Sequence, residues 1–135
     1  DTFFVEPTGL ELENVSTARD LIKLADAAFD REEITEALTR SNYNFLVKNN
    51  GRRGSSRNTN RLLNSFLNSN SYEIIGAKTG FLNEAGYCFL IKVKKVDGPV
   101  LTLVFLGANE TTDRWQETKG VVDWIFENYE WSSSN

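Results

Sequence analysis

Residues 74–108 read IIGAKTGFLNEAGYCFLIKVKKVDGPVLTLVFLGA. Tyr72 to Thr79, Tyr87 to Lys95 and Val100 to Leu106 are rich in β-branched and aromatic residues, and the turn-forming stretches Asn83-Glu84-Ala85-Gly86 and Asp97-Gly98 separate them. That alternation predicts three consecutive antiparallel strands. In the second, Tyr87, Phe89, Ile91 and Val93 share one face. The third is almost uninterruptedly apolar, so both its faces are expected to be covered and the strand to be central in the complete fold. Lys78-Thr79-Gly80 lies on the first strand, bracketed by Gly76 and Gly80, whose missing Cβ atoms leave room for a ligand at the strand edge. One cation and one hydroxyl there suit an anionic substrate. A lysine at a strand end also serves as a gatekeeper against aggregation, and the tripeptide alone does not separate the two.

The flanks carry more. From Gly76 to Tyr87 the chain reads GAKTGFLNEAGY; upstream lies EPTGLELENVSTARDLIKLA (Glu6 to Ala25), and downstream LVFLGANETTDRWQETKGVVDWIFENY. Together these resemble, in order, the Gly-Leu turn with its Asn, the S-T-A-x-D-L helix start, the K-T-G strand and the last core strand with the C-terminal helix of the serine-type D-alanyl-D-alanine carboxypeptidases, the low-molecular-weight penicillin-binding proteins. The run Asn58 to Leu63 also resembles that family's approach to its K-T-G strand. The fold class implied is α+β, an antiparallel sheet with packed helices, as part of a penicillin-binding-protein/β-lactamase-like (DD-peptidase) fold.

The resemblance also assigns roles. Lys78 would supply positive potential beside the nucleophile and help hold its proton. Thr79 would hydrogen-bond the terminal carboxylate of a D-Ala-D-Ala stem peptide or of a β-lactam, and Gly80 would keep the edge clear for a substrate lying along it as an added strand. The backbone N–H of Phe81 would be one oxyanion-hole donor, the other coming from the nucleophile itself. Phe81 replaces the polar residue often found there, which implies altered substrate preference. No metal or cofactor is implied, and the cell envelope is the expected location.

Such enzymes also need Ser-x-x-Lys and Ser-x-Asn motifs. No Ser-x-x-Lys occurs in the 135 residues. Ser56-Arg57-Asn58 and Ser133-Ser134-Asn135 match the second pattern literally, in a polar loop and at the tail, as expected by chance in a chain rich in Ser and Asn. Residues 1–135 are therefore expected to be the C-terminal portion of the catalytic domain, with the nucleophile upstream of Asp1. The absence of methionine agrees with a processed or truncated product. Alone, the chain is expected to be inactive, and to pair with its missing N-terminal part or self-associate. The alternative is a non-catalytic peptidoglycan-binding module that lacks the nucleophile lobe.

Composition fits one domain, with 40% hydrophobic residues. A net charge of -4 and a pI near 4.9 oppose nucleic-acid binding, despite Arg52, Arg53, Arg57 and Arg61. The absence of histidine excludes Ser-His, Cys-His and His-metal chemistry within the chain. The single cysteine, Cys88, reads as a buried small hydrophobe.

Periodicity supplies the remaining elements. Ser16 is placed to cap a helix from Thr17 to Phe29, and Arg31 to Thr39 makes a second. Its acidic residues Asp30, Glu32, Glu33 and Glu36 read as a solvated face. Pro7 and Gly9 mark a turn that Phe3, Phe4, Val5 and Leu10 can dock. Tyr43 to Val47 reads as a strand, and Lys48 to Asn60 as an exposed basic loop. Thr111 or Thr112 caps the last helix, where Trp115, Val122, Ile125, Phe126 and Tyr129 lie near one face. Trp115 and Trp124 read as core or domain-contact residues, and Ser132 to Asn135 as a frayed tail.

Overall fold

A computed structural model describes residues 1–131; the predicted tail, with Ser133-Ser134-Asn135, lies outside the described residues. The antiparallel sheet forms as expected from β3 (Tyr72–Leu82), β4 (Gly86–Lys95) and β5 (Val100–Ala108), in the order β3-β4-β5. β1 (Asn42–Leu46) and β2 (Arg53–Arg57) make a separate hairpin. α1 (Ala18–Phe29) packs on β4 and β5, α2 (Glu32–Thr39) on β3, and α3 (Asp113–Asn128) on β4 and β5.

The main core lies between the sheet and α3. Phe89, Ile91 and Val93 alternate along β4 and are almost fully inaccessible; Trp115, Val122 and Phe126 meet them from α3, and Leu62, Leu63 and Leu67 close the end. The Phe89 and Trp115 rings pack edge-to-face at 4.9 Å. Fully burying each such side chain stabilises the fold by about 1.5–3 kcal/mol. On the other face α1 is pinned by polar contacts as well: the Asp26 carboxylate accepts from Lys92 Nζ at 3.0 Å and Thr102 Oγ1 at 3.3 Å. Helices thus contact β5 from both faces as its apolar sequence implies, but among the described residues β5 pairs with β4 alone, and β4 is the central strand.

Several expectations need correction. The stretch from Lys48 to Asn60 is not all loop. Arg53–Arg57 is a strand paired with Asn42–Leu46, closed by backbone bonds from Val47 N to Arg52 O and Gly51 N to Val47 O, with Gly51 at φ 67. Its R-G-S-S-R sequence has no strand propensity. The pairing leaves Phe45 over Gly54, where any Cβ would stand 2.5 Å from the ring. Between this hairpin and the sheet, Arg61–Asn64 forms a turn of 3-10 helix capped by the Asn60 side chain, which the sequence reading did not assign.

The N-terminal segment is not docked by Phe3, Phe4, Val5 and Leu10, all of which are exposed. Its turn is instead built around the Glu6 carboxylate, which accepts from Gly9 N at 2.7 Å, Leu10 N at 2.9 Å and Asn14 Nδ2, with Gly9 at φ 76. Hydrogen bonds from the Thr8 hydroxyl and then from the backbone N–H groups of Thr8, Glu11 and Leu10 outweigh desolvation and hold the Glu6 carboxyl well below the usual carboxylate range, down to about 2. Thr17, not Ser16, caps α1, accepting from Asp20 N at 3.1 Å, while Ser16 bonds Thr2. Thr112 occupies the N-cap of α3 without a side-chain bond, and the Asp113 carboxylate accepts from Glu110 N instead.

Candidate functional site

β3 forms one edge of the sheet, so its far side has no strand partner among the described residues. Lys78, Thr79, Gly80 and Phe81 lie within it, opposite Leu90, Phe89, Cys88 and Tyr87. The strand runs three residues beyond its predicted end at Thr79, which puts the whole tripeptide and Phe81 in extended backbone. Lys78 is exposed, its Nζ donates to the Thr79 carbonyl, and it forms no ion pair among the described residues. Half-buried Thr79 shares a hydrogen bond of 2.7 Å with the hydroxyl of Thr59. The Phe81 ring is half exposed and stacks on Tyr87, centroids 4.3 Å apart.

The two bracketing glycines have different reasons. A Cβ on Gly76 would press to 3.2 Å against the Phe29 ring, so this glycine makes room for α1 and not for a ligand. A Cβ on Gly80 would meet only Cys88 Cβ, at an ordinary 3.5 Å. The protein itself tolerates a side chain there, and any demand for glycine arises from what lies against the free edge.

Arg114 is the residue that the sequence reading missed. It is buried in the first turn of α3 and donates Nη1 to the carbonyls of Gly80 at 3.2 Å and Cys88 at 3.3 Å. Its guanidinium covers the rings of Tyr87 at 5.1 Å and Trp115 at 4.5 Å. Burial, assisted by the nearby Arg61 charge, pulls its pKa below the usual arginine value. The only signal was a cation beside Trp115 on an otherwise apolar helix face.

Two concave surfaces adjoin the tripeptide. On the Thr59 side, a cavity of about 910 Å³ is lined by Arg57, Asn60, Arg61, Arg114 and Trp115, among other residues, with no carboxylate among them. On the α1 side, an apolar groove of about 440 Å³ runs between Leu21, Leu24 and Leu38 and the sheet residues Leu90 and Val104, with Lys78 and Gly80 in its lining. The tripeptide therefore stands between a basic polar cavity and an apolar groove.

The remaining candidates lie elsewhere. Ser56 is on β2, and Asn58 bonds the Leu38 and Arg40 carbonyls, so the literal Ser-x-Asn match ties the hairpin to α2. Cys88 is half-buried, with Sγ 3.6 Å from the Ala85 carbonyl. Asp30, Glu32, Glu33 and Glu36 are exposed, Glu36 pairing with Arg40. Trp115 is core; Trp124 is exposed and so is not core, and it packs on Tyr129, which is exposed as well, against the expectation that it joins the buried face. No helix among the described residues is long and apolar enough to cross a membrane.

Comparison with known proteins gives a consistent result. A family model described as D-alanyl-D-alanine carboxypeptidase matches residues 1–110. A D-alanyl-D-alanine endopeptidase of Pseudomonas aeruginosa is 34% identical over 126 residues, 87% of this chain and 39% of that protein. The D-alanyl-D-alanine carboxypeptidase DacF of Bacillus subtilis is 31% identical over 131 residues, 96% of this chain and 32% of that protein. Among solved structures, a D-alanyl-D-alanine carboxypeptidase of Mycobacterium tuberculosis matches 99% of this chain and 50% of its own, with TM-score 0.79 at 22% identity. A Listeria monocytogenes penicillin-binding protein in its cefotaxime-bound form matches 93% of this chain and 48% of its own, with TM-score 0.67 at 28% identity. The chain thus spans 39% or less of these two curated relatives and about half of these solved chains.

Proposed function

The chain belongs to the D-alanyl-D-alanine carboxypeptidase family, and on that premise we propose that it supplies the K-T-G substrate-binding strand of a serine-type D-Ala-D-Ala peptidase acting on peptidoglycan stem peptides in the cell envelope. Residues 1–135 are the C-terminal portion of its catalytic domain, and the nucleophilic serine and its lysine come from the rest of the protein. The observation that carries this reading is Lys78-Thr79-Gly80 in extended backbone on the edge of β3 that has no strand partner among the described residues.

A peptide lies along that edge as an added strand. Thr79 Oγ1 donates to its terminal carboxylate while the Lys78 ammonium supplies positive potential. The serine attacks the penultimate carbonyl carbon, its proton passes to a basic group at the site, and the oxyanion forms against the N–H of Phe81 and that of the serine. Collapse, with that proton delivered to the departing nitrogen, expels D-alanine and leaves an acyl-enzyme, which water hydrolyses. A β-lactam enters by the same carboxylate contact and stalls at the acyl stage.

The test is D-alanine release from a peptide ending in D-Ala-D-Ala by the full-length protein. Replacing Thr79 by Val is expected to raise KM and lower kcat/KM about tenfold or more, as for a lost hydrogen bond to a charged group. Unchanged kinetics would refute the assignment. Residues 1–135 alone are expected to release none.

A further inference from the structure

Arg114 directs its charge at backbone. It is buried at the start of α3, forms no ion pair among the described residues, and donates one nitrogen, Nη1, to the carbonyls of Gly80 at 3.2 Å and Cys88 at 3.3 Å. A guanidinium held out of water without a carboxylate beside it is an unusual way to fasten a helix to a sheet.

That contact fixes which way one peptide unit faces. Gly80 and Cys88 stand opposite each other in the β3–β4 ladder, and antiparallel partners either exchange both backbone hydrogen bonds or turn their polar groups away from each other. Carbonyls turned apart could not both reach one nitrogen, so the Gly80 carbonyl faces β4. The peptide bond that follows is trans and planar. The N–H at its other end, that of Phe81, therefore points the opposite way, toward the edge without a strand partner among the described residues.

The same cation also holds the side chain that follows. It covers the Tyr87 ring at 5.1 Å, and the Phe81 ring stacks on Tyr87 at 4.3 Å. Phe81 is thus fixed both through the peptide unit before it and through its ring.

We infer that Arg114 is a positioning residue for the oxyanion hole, which orients and polarises the Gly80–Phe81 peptide unit so that the Phe81 N–H becomes a stronger donor already aimed at the open edge. The inference rests on the proposed peptidase function, which gives that N–H its oxyanion. A charged donor on the carbonyl oxygen draws electron density from the amide nitrogen, and hydrogen bonds linked in this way strengthen one another. Burial leaves the positive charge weakly screened, so it adds to the potential that the oxyanion meets. The ground-state carbonyl carries much less charge, and the effect falls on the acylation step more than on binding.

The experiment follows acylation of the full-length protein by a penicillin, resolving the binding constant from the acylation rate, for the parent, Arg114→Gln and Arg114→Lys. Arg114→Gln, which removes the charge, is expected to slow the acylation step about tenfold or more and to change binding by less than about threefold. Arg114→Lys should fall between, since it keeps the charge but loses the planar contact with the rings. The carbonyl stretch of the penicilloyl ester is the second readout, taken only from acylated and therefore folded molecules. It should move to higher wavenumber in Arg114→Gln, as a weaker oxyanion hole requires. A residue that served stability alone would lower the urea midpoint and leave the acylation step and the ester band unchanged, and that result overturns the inference. Should Arg114→Gln not fold, Arg114→Lys decides, and a parent-like acylation step and band overturn it. No adduct on the parent would refute the peptidase reading instead. In that case the Phe81 amide nitrogen, labelled with 15N, decides: a resonance moved upfield in the variant upholds the polarisation, and an unmoved one overturns it.

Discussion

The hydroxyls of Thr59 and Thr79 are 2.7 Å apart, and this bond joins the segment that leads into the sheet to the strand that carries the tripeptide. Thr59 precedes Asn60, whose side chain caps the 3-10 turn, and that turn sets Leu62 and Leu63 into the core beneath β3. The orientation of the Thr79 hydroxyl is thus coupled to the core through one short loop.

Replacing Thr59 by Val should leave stability within about 0.5 kcal/mol of the parent, because Thr59 is exposed. It frees the Thr79 hydroxyl to rotate, and kcat/KM for a D-Ala-D-Ala peptide should fall about two- to tenfold, the scale of one neutral hydrogen bond. Steady-state kinetics beside a urea melt check both halves.

Gly76 and Gly80 should respond oppositely to alanine. At Gly76 the new methyl group meets the Phe29 ring, and overpacking should cost about 1–3 kcal/mol in urea unfolding. At Gly80 stability should hold within about 0.5 kcal/mol, while acylation by penicillin slows because the methyl group crowds the strand's outer edge. Equal stability losses at the two sites would remove the distinction.

Arg114→Met leaves the Gly80 and Cys88 carbonyls without their side-chain donor. Orphaning groups at a partly buried site should destabilise by about 2–4 kcal/mol. Hydrogen exchange should quicken across residues 80–88 more than at Ile91 and Val93. Arg114→Lys recovers only part, since an ammonium cannot stack its charge flat over Tyr87 and Trp115 as the planar guanidinium does.

Glu6 carries a pH dependence. Its carboxyl titrates at about 2 in the fold against an ordinary value of 4.5, so the charged form is favoured by folding. Its stabilising contribution is complete above about pH 4.5 and is lost as pH falls toward 2. Amide resonances of Gly9 and Leu10 should shift through that window, and Glu6→Gln should abolish the transition.

The strands of the main sheet were legible because their pattern is unambiguous: alternation along Tyr87, Phe89, Ile91 and Val93 meets a clear turn at Asp97-Gly98. The same reasoning failed at Arg53–Arg57, where a strand of R-G-S-S-R exists by pairing across a fixed turn and buries no face of its own. It failed again at Phe3, Phe4, Val5 and Leu10, since one carboxylate accepting several backbone N–H groups replaced apolar docking. The tripeptide was visible as three letters, but Arg114 became visible only once α3 lay across the sheet, because its partners are backbone carbonyls 26 and 34 residues away in sequence.

The most direct measurement is the rate at which the full-length protein forms a covalent penicillin adduct, followed by intact mass with the adduct then mapped, for the parent and for Lys78→Ala. One adduct on a serine outside residues 1–135, forming at least about a hundredfold more slowly in the variant, is the predicted result. An adduct on a serine within these residues, or a rate indifferent to Lys78, would contradict the role assigned to the strand.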